Sequence, residues 1–116
     1  MTRVLIVDDD AGFRRLARLL LEQEGIDVVG VAADGKTAAR AARELGPDVV
    51  LLDVNLTGES GFDVARRIAG APDAPAVVLT STRTETDYAA LARQTGARGF
   101  LPKDELSSAR IERLAG

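Results

Sequence analysis

Five short apolar segments, separated by longer segments of helical character, dominate the hydrophobic pattern of the chain. They are VLIV (4–7), VVGVA (28–32), VVLL (49–52), AVVL (76–79) and GFL (99–101). Continuous apolar runs of this length are typical of parallel β-strands that are covered on both faces. The pattern therefore predicts five strands of a parallel sheet.

The segments between these strands have the period of amphipathic helices. The first helix is predicted from a buried stripe of Phe13, Leu16, Ala17, Leu20 and Leu21. The second is predicted from Ala38, Ala41, Ala42 and Leu45. The other three are predicted from Val64, Ala65 and Ile68, then Tyr88, Leu91 and Ala92, and finally Leu106, Ala109, Ile111 and Leu114.

Residues that start and stop helices agree with these stripes. Asp10 and Asp34 are suitable N-caps for the first two helices. We expect the fourth helix to begin near Thr84. The first four helices are expected to end at Gly25, Gly46, Gly70 and Gly96.

Alternation of strands and helices predicts right-handed crossovers and a doubly wound α/β fold, with helices on both faces of the sheet. Such a sheet binds ligands beyond the carboxyl ends of its strands. Functional residues are therefore expected directly after each apolar segment.

Composition narrows the classes of function. A chain of 116 residues with 46% apolar residues suits one globular domain, and a net charge of −3 argues against direct binding of nucleic acid. No apolar run approaches the roughly 18 residues of a membrane span, and the first residues show no cleavable leader, so a cytoplasmic protein is expected. The absence of histidine excludes a His-phosphorylated carrier, a His base and His metal ligands.

Polar residues follow four of the predicted strands. Asp8, Asp9 and Asp10 follow the first, Asp53 the third, Thr80 and Ser81 end the fourth, and Lys103 follows the fifth. Because these strand ends meet at one edge, we expect an acidic pocket faced by a hydroxyl group and an amine. Clustered carboxylates repel one another unless a cation intervenes, and Mg²⁺ prefers such oxygen ligands, with Mn²⁺ as the alternative ion. Asp9 and Asp53 are the predicted direct ligands, and Asp8 the predicted water-mediated one.

The stretches VLIVDDD, VVLLDVNLTGESG, VVLTS and GFLPKDEL, in this order and at these separations, resemble the receiver domain of two-component response regulators. The resemblance covers essentially the whole chain, residues 1–116, and implies a flavodoxin-like, three-layer (βα)5 domain with strand order 2-1-3-4-5 and no output domain. It implies a phosphoacceptor signalling domain, not a turnover enzyme. The phosphoryl donor would be a sensor histidine kinase or a phosphotransfer protein.

By matching positions, the resemblance also implies roles for individual residues. Asp53 would accept the phosphoryl group, and the metal would be held by Asp8, Asp9, Asp53 and the backbone carbonyl of Asn55. The phosphoryl-binding and switch residues would be Thr80, Ser81, Lys103 and Phe100. The switch would reach the face formed by the fourth helix, fifth strand and fifth helix, and so control an output domain, a protein target or a phosphorylation-dependent homodimer.

Three departures and two alternatives accompany the resemblance. Thr57 stands where the family commonly has proline, Asp104 follows Lys103 where many receivers have proline, and Phe100 replaces a common tyrosine. The stretch Asp8–Gly12 also resembles the start of haloacid-dehalogenase-type phosphatases, in which Asp8 would be the nucleophile and Asp10 the acid/base, but that reading leaves Asp53 unexplained. A pseudo-receiver, which keeps the fold and binds partners without phosphorylation, is the other alternative.

Overall fold

The computed structural model describes residues 1–83 and 87–116 and has five parallel strands in one sheet. We number these strands β1 to β5 in chain order: Arg3–Val7, Asp27–Ala32, Val49–Asp53, Ala76–Ser81 and Gly99–Pro102. Their order across the sheet is β2-β1-β3-β4-β5, and every neighbouring pair is parallel. The predicted flavodoxin-like fold and its strand order are confirmed.

Five helices cover the two faces of the sheet. They are α1 to α5, spanning Ala11–Gln23, Gly35–Leu45, Gly61–Ala69, Tyr88–Gln94 and Ser108–Ala115. Side chains of α2, α3 and α4 pack with the sheet in one apolar cluster, and side chains of α1 and α5 pack in a second cluster. The strands therefore form the middle layer of three, which explains why their sequences are apolar on both faces. No helix in the described part of the chain combines the length and apolar character needed to cross a membrane.

The first two helices begin at the predicted N-capping residues. The side chain of Asp10 accepts hydrogen bonds from Gly12 N and Phe13 N, and that of Asp34 accepts one from Thr37 N. These bonds satisfy amide groups that have no partner within the helix. Both aspartates therefore cap the helices that follow the sheet's carboxyl edge.

The prediction that Leu16 is buried is wrong. Its side chain is 64% exposed, although Ala17 and Leu21 on the same helix are fully buried. Adjacent residues of a helix point about 100° apart, so a helix centred on Ala17 and Leu21 turns Leu16 towards its flank. Leu45 and Ala109, which were also predicted to belong to buried stripes, are exposed as well.

The fifth helix begins later than its apolar pattern suggests. α5 begins at Ser108, with Ser107 as its N-cap, so Leu106 precedes the helix instead of opening it. A short 3₁₀ helix, Lys103–Glu105, lies between β5 and α5. The predicted start of the fourth helix near Thr84 lies outside the described residues.

A two-stranded antiparallel ribbon, formed by Asn55–Leu56 and Glu59–Ser60, follows β3 and was not predicted. Gly58 turns the ribbon with a φ of 77°, a conformation that favours glycine. Gly61 then brings the start of α3 against the backbone, where a Cβ would collide with the Asp53 carbonyl oxygen and lie 2.6 Å from Val54 Cα. The ribbon and Gly61 thus fix the chain that follows the end of β3.

Candidate functional site

Three aspartates converge at the carboxyl edge of the sheet. Asp8 and Asp9 follow β1, and Asp53 ends the neighbouring strand β3. One carboxylate oxygen from each lies within 4.8 Å of the others. Asp8 and Asp53 are buried, whereas Asp9 is exposed, so the cluster has one open side.

Lys103 supplies the positive charge of this cluster. Its Nζ lies 2.6 Å from Asp8 Oδ2 and 3.5 Å from Asp53 Oδ2, with only 12% of the side chain exposed. The ammonium group also lies 4.2 Å from the centre of the Phe13 ring, at the distance of a cation–π contact. The predicted pocket of carboxylates faced by an amine is therefore present, and the amine lies closer to Asp8 than to Asp53.

The two carboxylate oxygens of Asp8 have different partners. Oδ1 accepts a hydrogen bond from Asp10 N at 2.9 Å, and Arg14 Nη1 donates to the Asp8 carbonyl oxygen at 2.6 Å. Oδ2 is buried and accepts no well-directed hydrogen bond from the described residues, so its contact with Lys103 is that of an ion pair. A buried carboxylate oxygen that is held by an ion pair and accepts no directed hydrogen bond is suited to a further cationic ligand.

Asp53 is held in an electrostatically strained position. Burial, and next the charge of Asp8, raise the pKa of Asp53 above its ordinary value. A hydrogen bond from Asn55 N to Asp53 Oδ1, at 3.2 Å, and the charge of Lys103 act in the opposite direction. The net effect is that the ionised form of Asp53 is disfavoured in the folded protein.

Thr80 and Ser81 are both buried at the end of β4, but only one of their hydroxyl groups has a described structural role. Thr80 lies opposite Asp53 in the register of β3 and β4, and its carbonyl oxygen accepts a hydrogen bond from Val54 N. The Ser81 hydroxyl oxygen accepts a hydrogen bond from Arg83 N at 3.0 Å. Thr80 therefore lies beside Asp53 in the sheet, and Ser81 holds the loop that follows.

Phe100 belongs to a row of three aromatic rings on the face covered by α2, α3 and α4. Its ring centre lies 5.3 Å from that of Tyr88, which in turn lies 5.7 Å from that of Phe62, and both pairs meet edge to face. Phe100 is half-buried and lies opposite Leu79 on β4. The row connects the strand next to Thr80 with α3 and α4.

Sequence reasoning did not assign Phe13, Arg14 or Thr57 to the site. The Thr57 hydroxyl donates a hydrogen bond to Asp9 Oδ2, and Glu59 Oε2 accepts one from Gly35 N at 2.9 Å. Of these three residues, only Thr57 is unusual in the sequence, because it is a polar residue where the family commonly has proline. Phe13 and Arg14 carried none, because an aromatic and a basic residue in the first turns of a helix have many other uses.

The donor set fits a small divalent cation. It consists of hard carboxylate oxygens, one of them buried and in an ion pair with Lys103, on a cluster whose third member is open to solvent. Mg²⁺ and Mn²⁺ take oxygen ligands of this kind and retain several waters, which requires such an open side. The single ammonium group of Lys103 faces more than one carboxylate and leaves the cluster acidic.

Comparisons with known proteins agree with this arrangement. A family model described as the response regulator receiver domain matches residues 4–114. Protein-glutamate methylesterase/protein-glutamine glutaminase 5 of Myxococcus xanthus is 41% identical over 98% of this chain and 34% of its own length. The DNA-binding response regulator MtrA of Mycobacterium tuberculosis is 41% identical over 87% of this chain and 43% of its own length. The chain thus spans less than half the length of these two relatives.

Solved structures show the same similarity. The signal receiver domain of the response regulator NarL from Mycobacterium tuberculosis has a TM-score of 0.87 at 35% identity, covering 99% of this chain and 97% of that one. The response regulator domain of CheB from Thermotoga maritima has a TM-score of 0.80 at 28% identity, covering 99% and 88%. Together with the family match over nearly the whole chain, these similarities show that the chain belongs to the response regulator receiver domains.

Proposed function

We propose that this receiver domain accepts a phosphoryl group on Asp53 from a phosphohistidine of a sensor histidine kinase or a phosphotransfer protein. The observation that carries the proposal is the convergence of Asp8, Asp9, Asp53 and Lys103 at one sheet edge. A cluster with this much buried negative charge is unfavourable for stability and favourable for binding a cation beside a phosphoryl group.

In the proposed step, a carboxylate oxygen of Asp53 attacks the phosphorus atom of the donor. A phosphorus–oxygen bond forms, the phosphorus–nitrogen bond breaks, and the imidazole nitrogen of the donor keeps the electron pair and takes a proton from water. Asp53 must be ionised to attack, and Lys103 favours that form by its charge. The hydrogen bond from Asn55 N fixes Oδ1, which limits the directions the carboxylate can take.

Asp8, Asp9, Asp53 and the carbonyl oxygen of Asn55 would hold Mg²⁺ or Mn²⁺. The ion would offset negative charge on the transferring group. The buried Asp8 Oδ2, which accepts no directed hydrogen bond from the described residues, supports Asp8 as a member of this set. Asp9 would close the open side of the cluster from its exposed position.

Phosphorylation would then change the local contacts of the edge. A phosphoryl group would add charge and strong acceptor oxygens beside Asp53, where the Lys103 ammonium group and the hydroxyl group of Thr80, opposite Asp53 on β4, would be its donors. Lys103 would exchange part of its ion pair with Asp8 for one with the phosphoryl group. Movement of Thr80 would alter packing along Phe100 and Tyr88, and so bias the surface of α4, β5 and α5 between two states.

This surface would control the output, either an attached domain, a separate protein or a second copy of the chain. The names of the relatives include a DNA-binding regulator and a methylesterase, but this chain corresponds only to part of those proteins. The donor would dock near α1, which begins directly after the aspartates. Exposed Leu16 and Leu19 provide an apolar patch on that helix for a protein partner.

The test is intact mass after incubation with Mg²⁺ and a small acyl phosphate. We expect one phosphoryl adduct in the parent chain, none in Asp53→Asn, and none in the parent chain with chelator. Asp104→Asn, at an exposed aspartate beside Lys103, is the matched control and should keep the adduct. An adduct that persists in Asp53→Asn and vanishes in Asp8→Asn would favour the phosphatase alternative. A folded parent chain that takes no adduct would favour the pseudo-receiver.

A further inference from the structure

The hydrogen bond between Thr57 and Asp9 joins two loops at the open side of the acidic cluster. Thr57 Oγ1 donates to Asp9 Oδ2 at 2.5 Å, within the range of a hydroxyl–carboxylate bond. The two residues are 48 positions apart in the chain, so the bond is a tertiary contact. It involves the one member of the cluster that burial does not hold in place.

The Thr57 side of this bond is fixed independently of Asp9. Thr57 lies at the turn of the ribbon, whose strands pair Leu56 with Glu59. Glu59 Oε2 also accepts a hydrogen bond from Gly35 N, which ties the ribbon to the start of α2. Gly61 N donates to the Val54 carbonyl oxygen at 2.8 Å and closes the base of the ribbon. The hydroxyl group is thus presented by a braced element.

The Asp9 side is not fixed in this way. Asp9 is exposed and lies in the connection between β1 and α1. Among the described residues, Thr57 is the one whose side chain holds the Asp9 carboxylate. A bond to Oδ2 restricts the rotation of the carboxylate and leaves Oδ1 free to accept another partner. The braced ribbon therefore orients Asp9, and not the reverse.

We propose that Thr57 is a positioning residue for Asp9, which presents the Asp9 carboxylate to the cation of the acidic cluster. The inference rests on the proposed function, because it requires that the cluster bind Mg²⁺. Partners that orient a metal ligand commonly change metal affinity by about 10-fold or more when removed. A proline at this position has no hydroxyl group, so the device depends on the threonine of this chain.

The experiment compares the parent chain with Thr57→Val, which keeps the side-chain shape without the hydroxyl, and with Thr57→Ser, which keeps the hydroxyl. Mg²⁺ affinity is measured by calorimetric titration of each chain. The Mg²⁺ concentration that gives the half-maximal rate of phosphorylation by an acyl phosphate is measured alongside. Melting temperature in chelator reports whether each variant is folded.

We expect Thr57→Val to bind Mg²⁺ about 10-fold more weakly and to need correspondingly more Mg²⁺ for half-maximal phosphorylation. Its rate at saturating Mg²⁺ and its melting temperature in chelator should match those of the parent chain. Thr57→Ser should restore affinity to within about twofold, because it retains the donor that orients the ligand.

Equal or tighter Mg²⁺ binding by Thr57→Val would overturn the inference, as would an equal loss in Thr57→Ser. These results leave the proposed function intact if the parent chain binds Mg²⁺ and is phosphorylated on Asp53. A folded parent chain that binds no Mg²⁺ would instead overturn the proposed function and this inference together.

Discussion

The middle of the sheet buries apolar side chains, whereas its carboxyl edge buries polar side chains beside the exposed Asp9. Residues Val4 to Val7 of β1 and Val49 to Leu52 of β3 are apolar and at most 2% exposed. Five polar side chains are buried in the described part of the chain, and four of them lie at the carboxyl edge of the sheet: Asp8, Asp53, Thr80 and Ser81. Within a few residues along one strand, burial thus changes from stabilising the fold to destabilising it.

The difference separates what holds the fold together from what performs its function. Apolar side chains in the middle gain free energy when they leave water. Buried carboxylates at the edge lose hydration and repel one another, and Lys103 offsets only part of that cost. Substitutions in the middle should therefore lower stability, whereas some substitutions at the edge should raise it while removing function.

The largest effect is expected in the middle of the sheet. Leu5→Ala should lower the free energy of unfolding by about 3 to 4 kcal/mol, because Leu5 is fully buried in a strand paired on both sides. Urea unfolding measures this change. Leu19→Ala, at a leucine that is 58% exposed, is the control and should change stability by less than about 0.5 kcal/mol. Similar losses of stability in both variants would contradict the claim that buried apolar residues in the middle of the sheet hold the fold together.

The next effect is at the edge, where one cation faces two buried anions. Lys103→Met should lower the free energy of unfolding in chelator by about 2 to 3 kcal/mol, because Asp8 and Asp53 lose their counter-charge. Lys36→Met, at the exposed lysine of α2, is the matched control and should be near neutral. Adding Asp8→Asn to Lys103→Met should recover part of the loss. A Lys103→Met variant as stable as the parent chain would show that the edge needs no counter-charge.

A smaller effect of opposite sign is expected at Asp53. Its folded-state pKa lies above the ordinary value of 3.8, so the folded protein binds the proton more tightly than the unfolded chain does. Ionisation of Asp53 therefore costs stability, and the cost grows as pH rises above about 4. In chelator at about pH 7, Asp53→Asn should be more stable than the parent chain by roughly 1 to 2 kcal/mol. Thermal unfolding of both chains at about pH 7 and about pH 4 measures this difference in stability, which should disappear near pH 4.

The smallest effect separates the two hydroxyl residues that end β4. Ser81→Ala should lower the free energy of unfolding by about 1 kcal/mol, because Arg83 N loses its hydrogen-bond acceptor. Urea unfolding measures the loss, and the phosphoryl adduct on Asp53 should remain. A loss of the adduct with unchanged stability would instead assign Ser81 to the phosphoryl site, beside Thr80.

The strands and the convergence of the aspartates were predictable from the pattern of the sequence, and the strand order from its resemblance to receiver domains. Apolar runs identify strands that are buried on both faces, and crossover topology brings the carboxyl ends of parallel strands to one edge. Asp8 and Asp53 could therefore be assigned to one pocket before any coordinates were known. The N-caps Asp10 and Asp34 were predictable for a similar reason, since their bonds are local.

Features that depend on side-chain direction or on very short elements were not predictable. Leu16 has the right spacing for a buried stripe, but the helix's rotation against the sheet decides its exposure. The ribbon after β3 has two residues per strand, too few for any pattern. The contacts of Lys103 with Asp8 and of Thr57 with Asp9 join distant parts of the chain through chosen rotamers, which spacing alone does not determine.

The most direct test measures the stability of the parent chain and Asp53→Asn at about pH 7, in chelator and in saturating Mg²⁺. A cation that binds the folded state stabilises it, and it should stabilise the chain with the complete carboxylate cluster more. We predict that Asp53→Asn is the more stable chain in chelator and that Mg²⁺ closes the difference. A difference of the same size with and without Mg²⁺ would contradict the account, because the cost of the acidic edge would then have no link to a cation.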